Sequence, residues 1–175
     1  GLTAVGKNAL KANTTGTRNI AIGFGAYDSS DTENDNIAIG YNAMTTNGAG
    51  AELNIAIGNY ALDAAVTGDN NVGVGYYALS ANTSGHSNTA VGNNVLIANT
   101  TGISNTSIGY NSLYANTTGS NNTAVGQNAL GSNTTAGGNT AVAQYALNAN
   151  TTGASNSALG YASLYTNTTG AENTA

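Results

Sequence analysis

Small apolar and polar positions alternate on a fixed period along the whole chain. A tripeptide that ends in Gly recurs, and its last residue is Gly6, Gly23, Gly40, Gly58, Gly75, Gly92, Gly109, Gly126, Ala143 and Gly160. Successive anchors are 17 residues apart, except for the 18 residues between Gly40 and Gly58. The consensus unit reads N-T-A-V-G-x-x-A-L-x-A-N-T-T-G-x-x. Such an array predicts one repeat domain, over residues 1–175, in which each unit packs on its neighbours.

Two apolar slots recur in every unit. The slot before the anchor is β-branched in nine of ten units: Val5, Ile22, Ile39, Ile57, Val74, Val91, Ile108, Val125, Val142 and Leu159. We expect this slot to form the core of a short buried strand. The slot four residues after the anchor holds Leu10, Tyr27, Met44, Leu62, Leu79, Leu96, Leu113, Leu130, Leu147 and Leu164, and predicts a second inward column. Small Ala residues beside both slots indicate a narrow interior.

Two polar slots hold Asn. One is Asn in every unit: Asn19, Asn36, Asn54, Asn71, Asn88, Asn105, Asn122, Asn139 and Asn156, followed by Asn173. Stacked units would align these residues into a structural ladder, in which each side-chain carbonyl accepts from an amide of the next coil. The other slot opens the N-T-T-G turn, where we expect Asn to initiate and Gly to supply a positive φ. The extra residue near Asn47–Gly50 is expected to form a bulge.

These slots predict an all-β fold, a repetitive parallel β-solenoid (a β-roll or β-helix) with about ten coils, each built from two short strands and two tight turns. The alternative, a strand followed by a short helix over residues 8–13, leaves fewer than two helical turns. Ordering 17 residues costs about 17–34 kcal/mol. The two large apolar side chains of a unit return only about 1.5–3 kcal/mol each. Neighbouring coils or other chains around a shared axis must therefore supply the rest, and either arrangement gives a rod.

Composition narrows the possible partners. The chain has three Lys or Arg and eight Asp or Glu, with a net charge of −5, and its cations all lie in the first eighteen residues. We therefore expect no nucleic-acid partner. Without Cys there is no disulfide framework, and no apolar run approaches the roughly 18 residues of a membrane span. The array begins and ends within a unit, so we expect a fragment of a longer fibre.

Groups suited to catalysis or metal binding are few. His86, in a turn slot, is expected to be solvated, and no Ser or Thr is placed near both a His and a carboxylate. We predict a chain that is not an enzyme and has no catalytic residue or cofactor. The acidic segment Asp28–Asp35 gathers four carboxylates, which suit calcium, but its spacing matches no EF-hand loop. We favour a solvated acidic turn there and predict no metal site.

Aromatic residues recur in the slot directly after the anchor. They are Phe24, Tyr41, Tyr76, Tyr110 and Tyr161. Other units place Lys7 or Asn59 in this slot, so it is expected to face water. Exposed rings beside amides are suited to stacking on sugars, which makes these five residues candidates for binding a glycan or another surface. Their units are not consecutive, so we expect no unbroken stripe and favour packing between chains or simple cover of the rod.

The segments N-T-A-V-G (Asn88–Gly92 and Asn122–Gly126) and N-I-A-I-G (Asn19–Gly23, Asn36–Gly40 and Asn54–Gly58) resemble repeats in the heads of trimeric autotransporter adhesins. Similar repeats occur in phage tail-fibre and surface-fibre proteins. The resemblance covers nearly the whole chain, although the family unit is commonly shorter. It implies short parallel β-roll coils, an intertwined homotrimer on a cell surface or virion, and attachment to a host-surface glycan or protein.

These observations together predict a structural fibre segment of an extracellular adhesin or phage tail-type fibre, which spaces or presents a surface-attachment tip. Two alternatives stay open. One is a subunit of a self-assembling extracellular filament, because open coils can stack end to end. The other is a single-chain β-solenoid whose flat Thr columns bind ice or polysaccharide.

Overall fold

A computed structural model describes residues 1–29, 31–46, 50–64 and 66–175. Within these ranges the chain forms ten three-residue strands and no helix. The strands are β1 (Thr3–Val5), β2 (Ile20–Ile22), β3 (Ile37–Ile39), β4 (Ile55–Ile57), β5 (Val72–Val74), β6 (Thr89–Val91), β7 (Thr106–Ile108), β8 (Thr123–Val125), β9 (Thr140–Val142) and β10 (Ser157–Leu159). No segment of the described ranges forms a helix with the length and apolarity to cross a membrane.

All ten strands lie in one parallel sheet, and their order in the sheet follows the chain. Each strand pairs with the next in strict register, so that Thr89 lies opposite Thr106 and Ala90 opposite Ser107. The predicted all-β parallel β-solenoid is therefore confirmed, with about nine turns at a spacing of about 17 residues. The bulge was expected near Asn47–Gly50, and positions 47–49 of that segment lie outside the described residues.

Each described coil has one strand rather than the two that we expected. The segment that carries the Leu slot instead forms turns, and it stacks through bonds such as that from Leu113 N–H to the Ala129 carbonyl, at 3.0 Å. Asn111 and Leu113 have φ angles of 56° and 48°. Left-handed residues two positions apart keep this segment from extending, which explains why no second strand forms.

The core is narrower than the sequence suggested. Only the middle residue of most strands faces inward: Ala90 is fully buried, whereas Ile108, in the β-branched slot, is 40 % exposed. The prediction that the β-branched slot forms the core is therefore wrong. Successive strand side chains point to opposite faces, so the first and third residues of each strand share the outer face. The expectation for the Leu slot is confirmed from Tyr27 to Leu147, where every member is fully buried.

The glycine that ends the N-T-T-G turn has a different role from the expected one. Gly119 does not adopt a positive φ. A Cβ added there would lie 2.4 Å from both the Ala136 carbonyl oxygen and Asn116 Oδ1. The turn therefore uses glycine for the close approach of the next coil.

Ala143 is the one non-glycine residue among the ten anchors. It has a φ of 114°, in the region where the other anchors are glycines with φ between 122° and 141°. An L-residue held there is strained, typically by about 1–3 kcal/mol.

We expect Ala143→Gly to stabilise the fold by about 1 kcal/mol, because relief of strain exceeds the extra entropy of glycine in the unfolded chain. Urea unfolding followed by circular dichroism measures this change. Ala146→Gly is the matched control, since Ala146 is buried and has no positive φ. It is expected to destabilise the fold, and a loss of stability in both variants would contradict the argument.

Candidate binding surfaces

The first and third residues of the strands form an outer sheet face. On β2 to β5 both positions are Ile or Val, whereas on β6 to β9 the first is Thr and the third is Val or Ile. Ile22, Ile57 and Ile108 are among its exposed members. Strands about 4.8 Å apart arrange these side chains in two straight rows. A continuous apolar face of this kind is typical of an interaction surface.

Two regions of the surface hold four of the five aromatic residues singled out in the sequence, and the fifth, Tyr110, stands apart. Phe24 stacks on Tyr41, with ring centroids 5.3 Å apart and planes 10° apart. Tyr161 meets Tyr145 edge-on at 6.3 Å. Tyr110 is 50 % exposed and contacts no other aromatic ring among the described residues. The candidate slot therefore does not form one stripe along the rod.

Two tyrosines that the sequence analysis missed connect the N-terminal rings. Tyr60 meets Tyr41 edge-on at 5.4 Å and Tyr76 edge-on at 6.2 Å. It also stacks on Tyr77 at 4.9 Å, and Tyr77 meets Tyr76 at 4.3 Å. Phe24, Tyr41, Tyr60, Tyr76 and Tyr77 thus form a continuous aromatic cluster over four consecutive coils. The expectation of no unbroken stripe is wrong in this part of the chain.

The missed tyrosines lie one residue further from the anchor than the others. This second slot is mostly Asn or Gly, as in Asn42 and Asn94. Its backbone is left-handed, with φ of 59° at Tyr60 and 55° at Tyr77. Asn tolerates this conformation well, whereas a bulky residue is strained in it by about 1–3 kcal/mol. The departure from Asn was the signal in the sequence that could have located the cluster.

The amide side chains between the rings turn towards the backbone. Asn59 Oδ1 accepts a hydrogen bond from Tyr41 N–H at 2.9 Å, and Asn93 Oδ1 accepts one from Tyr76 N–H at 3.1 Å. Asn59 therefore leaves the space beside Tyr41 to the Tyr60 ring. At the other end, Lys7 Nζ lies 5.8 Å from the centre of the Phe24 ring.

Asp63 is a half-buried carboxylate close to the aromatic cluster. Burial raises the pKa of Asp63 to about 6. The pKa of Tyr60 is raised by burial and by neighbouring groups that include Asp63. That of Tyr77 is raised by its hydrogen bond with Tyr76, by burial and, more weakly, by the Asp63 charge. Asp63 therefore lies near enough for its charge to act on both phenols.

We expect Asp63 to make stability depend on pH. The folded-state pKa, about 6, exceeds the ordinary value of 3.8, so the folded chain binds more protons between these pH values. The free energy of unfolding should fall as pH rises through this window and stay lower above it. Asp63→Asn should remove this dependence and stabilise the protein at pH 7.

Urea midpoints at pH 4, 5, 6 and 7 compare the two proteins. The salt bridge between Arg18 and Asp35 affects a different window, because the guanidinium lowers the pKa of Asp35 and its contribution is lost only as pH falls below 3.8. Parallel pH curves for the parent and Asp63→Asn would contradict the assignment.

The invariant Asn slot forms a buried row with a structural role. Asn105 Oδ1 accepts from Asn122 N–H at 3.0 Å, and Asn105 Nδ2 donates to the Gly119 carbonyl at 2.9 Å. The same arrangement, with partners shifted by one coil, links the backbone N–H of each Asn to the preceding Asn from Asn19 to Asn156. The second Asn slot adds a parallel row, in which Asn116 Nδ2 donates to Asn99 Oδ1 at 2.9 Å and to Gly119 at 3.0 Å. The two rows converge on the same turn carbonyl.

The acidic segment divides its carboxylates between different partners. Glu33 is only 3 % exposed, and its side chain accepts from the N–H groups of Asp31, Thr32 and Gly50, each at 3.1 Å. Arg18 binds both oxygens of Asp35 at 2.6 Å. Across the described ranges, no three His, Cys, Asp or Glu residues come together in a group that could hold a metal ion.

His86 lies at an open, polar cavity of about 330 Å³ that is also lined by Thr67, Asp69 and Ser84. Its Nδ1 is 3.3 Å from Ser87 Oγ. Its side chain is exposed, in the turn position expected from the sequence.

The sequence and the fold were compared with those of known proteins. Neither protein-family models nor curated proteins nor solved structures gave a match.

Proposed function

We propose that this chain is a structural fibre segment of an extracellular adhesin or phage tail-type fibre. In the proposed assembly, three parallel copies pack their outer sheet faces around a common axis, and the rod spaces or presents an attachment tip. The observation that carries this proposal is the outer sheet face, which continues across all ten strands and exposes Ile22, Ile57 and Ile108.

The architecture suits a spacer. Ten strands stacked at about 4.8 Å give a sheet about 43 Å long from the first strand to the last. Backbone hydrogen bonds and both Asn rows run along this axis. Stretching the rod would therefore require many hydrogen bonds to break at once. A narrow interior of Ala and Leu leaves the larger β-branched side chains on the outer face.

Burial of the outer sheet face would supply the apolar contact that a single coil lacks. Removing apolar surface from water contributes roughly 25 cal/mol per Å², and the face repeats at every coil. Copies aligned in parallel would match Ile with Ile and Thr with Thr along the axis. The resemblance of the N-I-A-I-G segments to trimeric adhesin repeats favours three copies.

Light scattering coupled to gel filtration tests the assembly. We expect a mass of three times 17.2 kDa for the parent chain. Ile57→Lys/Ile108→Lys should give monomers that retain a β-type dichroism spectrum, because three buried copies of each charge cannot be accommodated. Tyr114→Lys is the matched control, since Tyr114 is exposed but lies outside the face. A monomeric parent would contradict the trimer, and micrographs that show filaments would favour the self-assembling alternative.

The Thr-containing half of the outer sheet face favours a second candidate, a single chain that binds an ordered surface such as ice. On β6 to β9 the Thr row runs beside a row of Val and Ile at regular spacing. Thermal hysteresis of a monomer, abolished by Thr106→Lys/Thr123→Lys, would support this role over the fibre.

A further inference from the structure

We propose that the rod has a built-in opening point between its fourth and fifth coils. The interface between residues 54–70 and residues 71–87 is called the opening junction below. At this junction the four N-terminal coils, residues 1–70, separate as a unit while the coils from residue 71 onwards stay folded. The inference rests on hydrogen bonds and packing within one chain and does not depend on the fibre role.

The second Asn row stops at the opening junction. Asn99 Nδ2 donates to Asn82 Oδ1 at 2.8 Å and to the Gly102 carbonyl at 3.1 Å, and each later member of the row makes the same two bonds. Among the described residues, Asn82 Nδ2 donates to the Gly85 carbonyl alone, at 2.9 Å, since the equivalent position one coil earlier, residue 65, is Ala. The other N–H of this fully buried amide therefore lacks an acceptor, which destabilises this one interface.

Two further features leave the opening junction poorly filled. Gly73 stands in the middle of β5, where the other nine strands have Ala or Ser, so the interior lacks a methyl group beside Ala56, its partner in β4. Glycine in the middle of a strand weakens it. On the turn side, the open polar cavity of about 330 Å³ lies between Asp69 of one coil and His86 of the next. The strand side and the turn side of the junction thus both lack a filling side chain.

Other contacts still hold the opening junction together. Tyr60 stacks on Tyr77 at 4.9 Å and meets Tyr76 edge-on at 6.2 Å, on the outside of the rod. The first Asn row continues across the interface, where Asn71 N–H donates to Asn54 Oδ1 at 2.9 Å. Surface rings, the backbone and one Asn row therefore join these two coils, whereas both rows cross each interface from the coil of β5 to that of β10.

The N-terminal coils also contain unpaired polar atoms in their interior. Asn13 Oδ1 and Thr45 Oγ1 are buried without a hydrogen-bond partner, and residues 71–175 hold no such side-chain atom. In the later coils the equivalent of Asn13 Oδ1 accepts from the Asn 17 residues further on, but residue 30 is Ser. A repeat array opens where its interfaces are weakest, and unpaired buried groups make a segment easier to open. The N-terminal coils are therefore expected to open before the others.

Hydrogen exchange of the full chain, followed by mass spectrometry with fragmentation to single residues, tests this order. Met44 N–H donates to the Ala61 carbonyl at 2.9 Å, Leu113 N–H donates to the Ala129 carbonyl at 3.0 Å, and both Met44 and Leu113 are fully buried. The two amides are thus matched in slot, burial and bonding, and differ in the segment to which they belong. We expect Met44 to exchange at least tenfold faster than Leu113.

Ala65→Asn restores the missing side chain at the opening junction. The new amide oxygen gives Asn82 Nδ2 its second acceptor, as Asn82 itself does for Asn99. Exchange at Met44 should then slow by about tenfold, the effect of one or two added hydrogen bonds, while exchange at Leu113 stays at the parent rate.

Asn133→Ala is the matched reverse change, because it makes the same gap within the C-terminal coils. Asn133 is fully buried, and its Nδ2 donates to Asn116 Oδ1 at 2.9 Å. The variant should create a second opening point, so that Leu147 exchanges about tenfold faster than in the parent while Leu96 keeps the parent rate.

Equal exchange at Met44 and Leu113 in the parent chain would overturn the proposal. It would also be overturned if Ala65→Asn slowed both amides alike or neither of them, or if Asn133→Ala left Leu147 at the parent rate. Each of these results would show that the second Asn row does not determine where the rod opens.

Discussion

Gly75→Ala is expected to destabilise the fold by about 4–5 kcal/mol, a loss at the upper end of single substitutions. Gly75 has a φ of 138°, and a Cβ built there would lie 2.2 Å from the Gly92 carbonyl oxygen and 2.6 Å from its carbonyl carbon. Both atoms belong to the backbone of the next coil, so relief requires the coils to separate. That movement would weaken the pairing of β5 with β6. Urea unfolding followed by far-ultraviolet dichroism gives the change.

Gly160→Ala is the control for backbone strain alone. Gly160 has a φ of 130°, but a Cβ there would meet nothing within 4 Å. Gly160→Ala should therefore lower the free energy of unfolding only by the backbone strain, about 1–3 kcal/mol. Equal losses in the two variants would show that coil stacking does not determine the anchor residue.

The anchors show how much of the fold the sequence contains. A period of 17 residues, ended by glycine, is sufficient to predict stacked parallel coils, and the invariant Asn slot predicts which side chains repeat along the axis. Each of those features depends only on which type of residue occupies one position in every unit. They do not depend on the direction of neighbouring side chains, which is why they could be deduced from one sequence.

The sequence prediction was wrong about which strand side chains point into the interior. Val and Ile before the anchor suggested a core, yet it is Ala90 and its equivalents in the middle of the strands that face the interior. Alternation along Thr89-Ala90-Val91 places Thr and Val on the same face, and this was a clue in the sequence. Left-handed φ angles at Leu113 and its equivalents had no such clue, because Leu rarely adopts them.

The sequence likewise identified some residues of the aromatic cluster and missed others. Phe24, Tyr41 and Tyr76 could be selected from their slot, and exposure could be inferred from Lys7 in the same slot. Tyr60 was missed because it lies one residue later and reaches back between two coils. Asp63 lies in a variable slot that holds Lys11, Asp28 or Ile97 in other units, so the repeat pattern gave no reason to select it, and only its burial near the phenols distinguishes it.

Asn105→Ala is expected to cost about 3–5 kcal/mol. Removal of the side chain leaves Asn122 N–H without its acceptor, removes one of the two amide donors to the Gly119 carbonyl, and opens a void in a fully packed row. Asn122 is itself fully buried, so water cannot replace the bond without disturbing the coil. Urea unfolding of the full chain provides the measurement.

Two further variants identify the source of that cost. Asn93→Ala removes an exposed acceptor from Tyr76 N–H, which water can replace, and should change stability by less than about 0.5 kcal/mol. Asn105→Asp keeps the shape and the acceptor but places a carboxylate against the Gly119 carbonyl and Asn88 Oδ1, so that two donated bonds become contacts between oxygens. Its loss at pH 7 should equal or exceed that of Asn105→Ala and shrink as acid restores a proton to the carboxyl. If Asn105→Asp were as stable as the parent at pH 7, the donated bonds of the row would contribute nothing, and the stacking of coils would have to rest on the backbone alone.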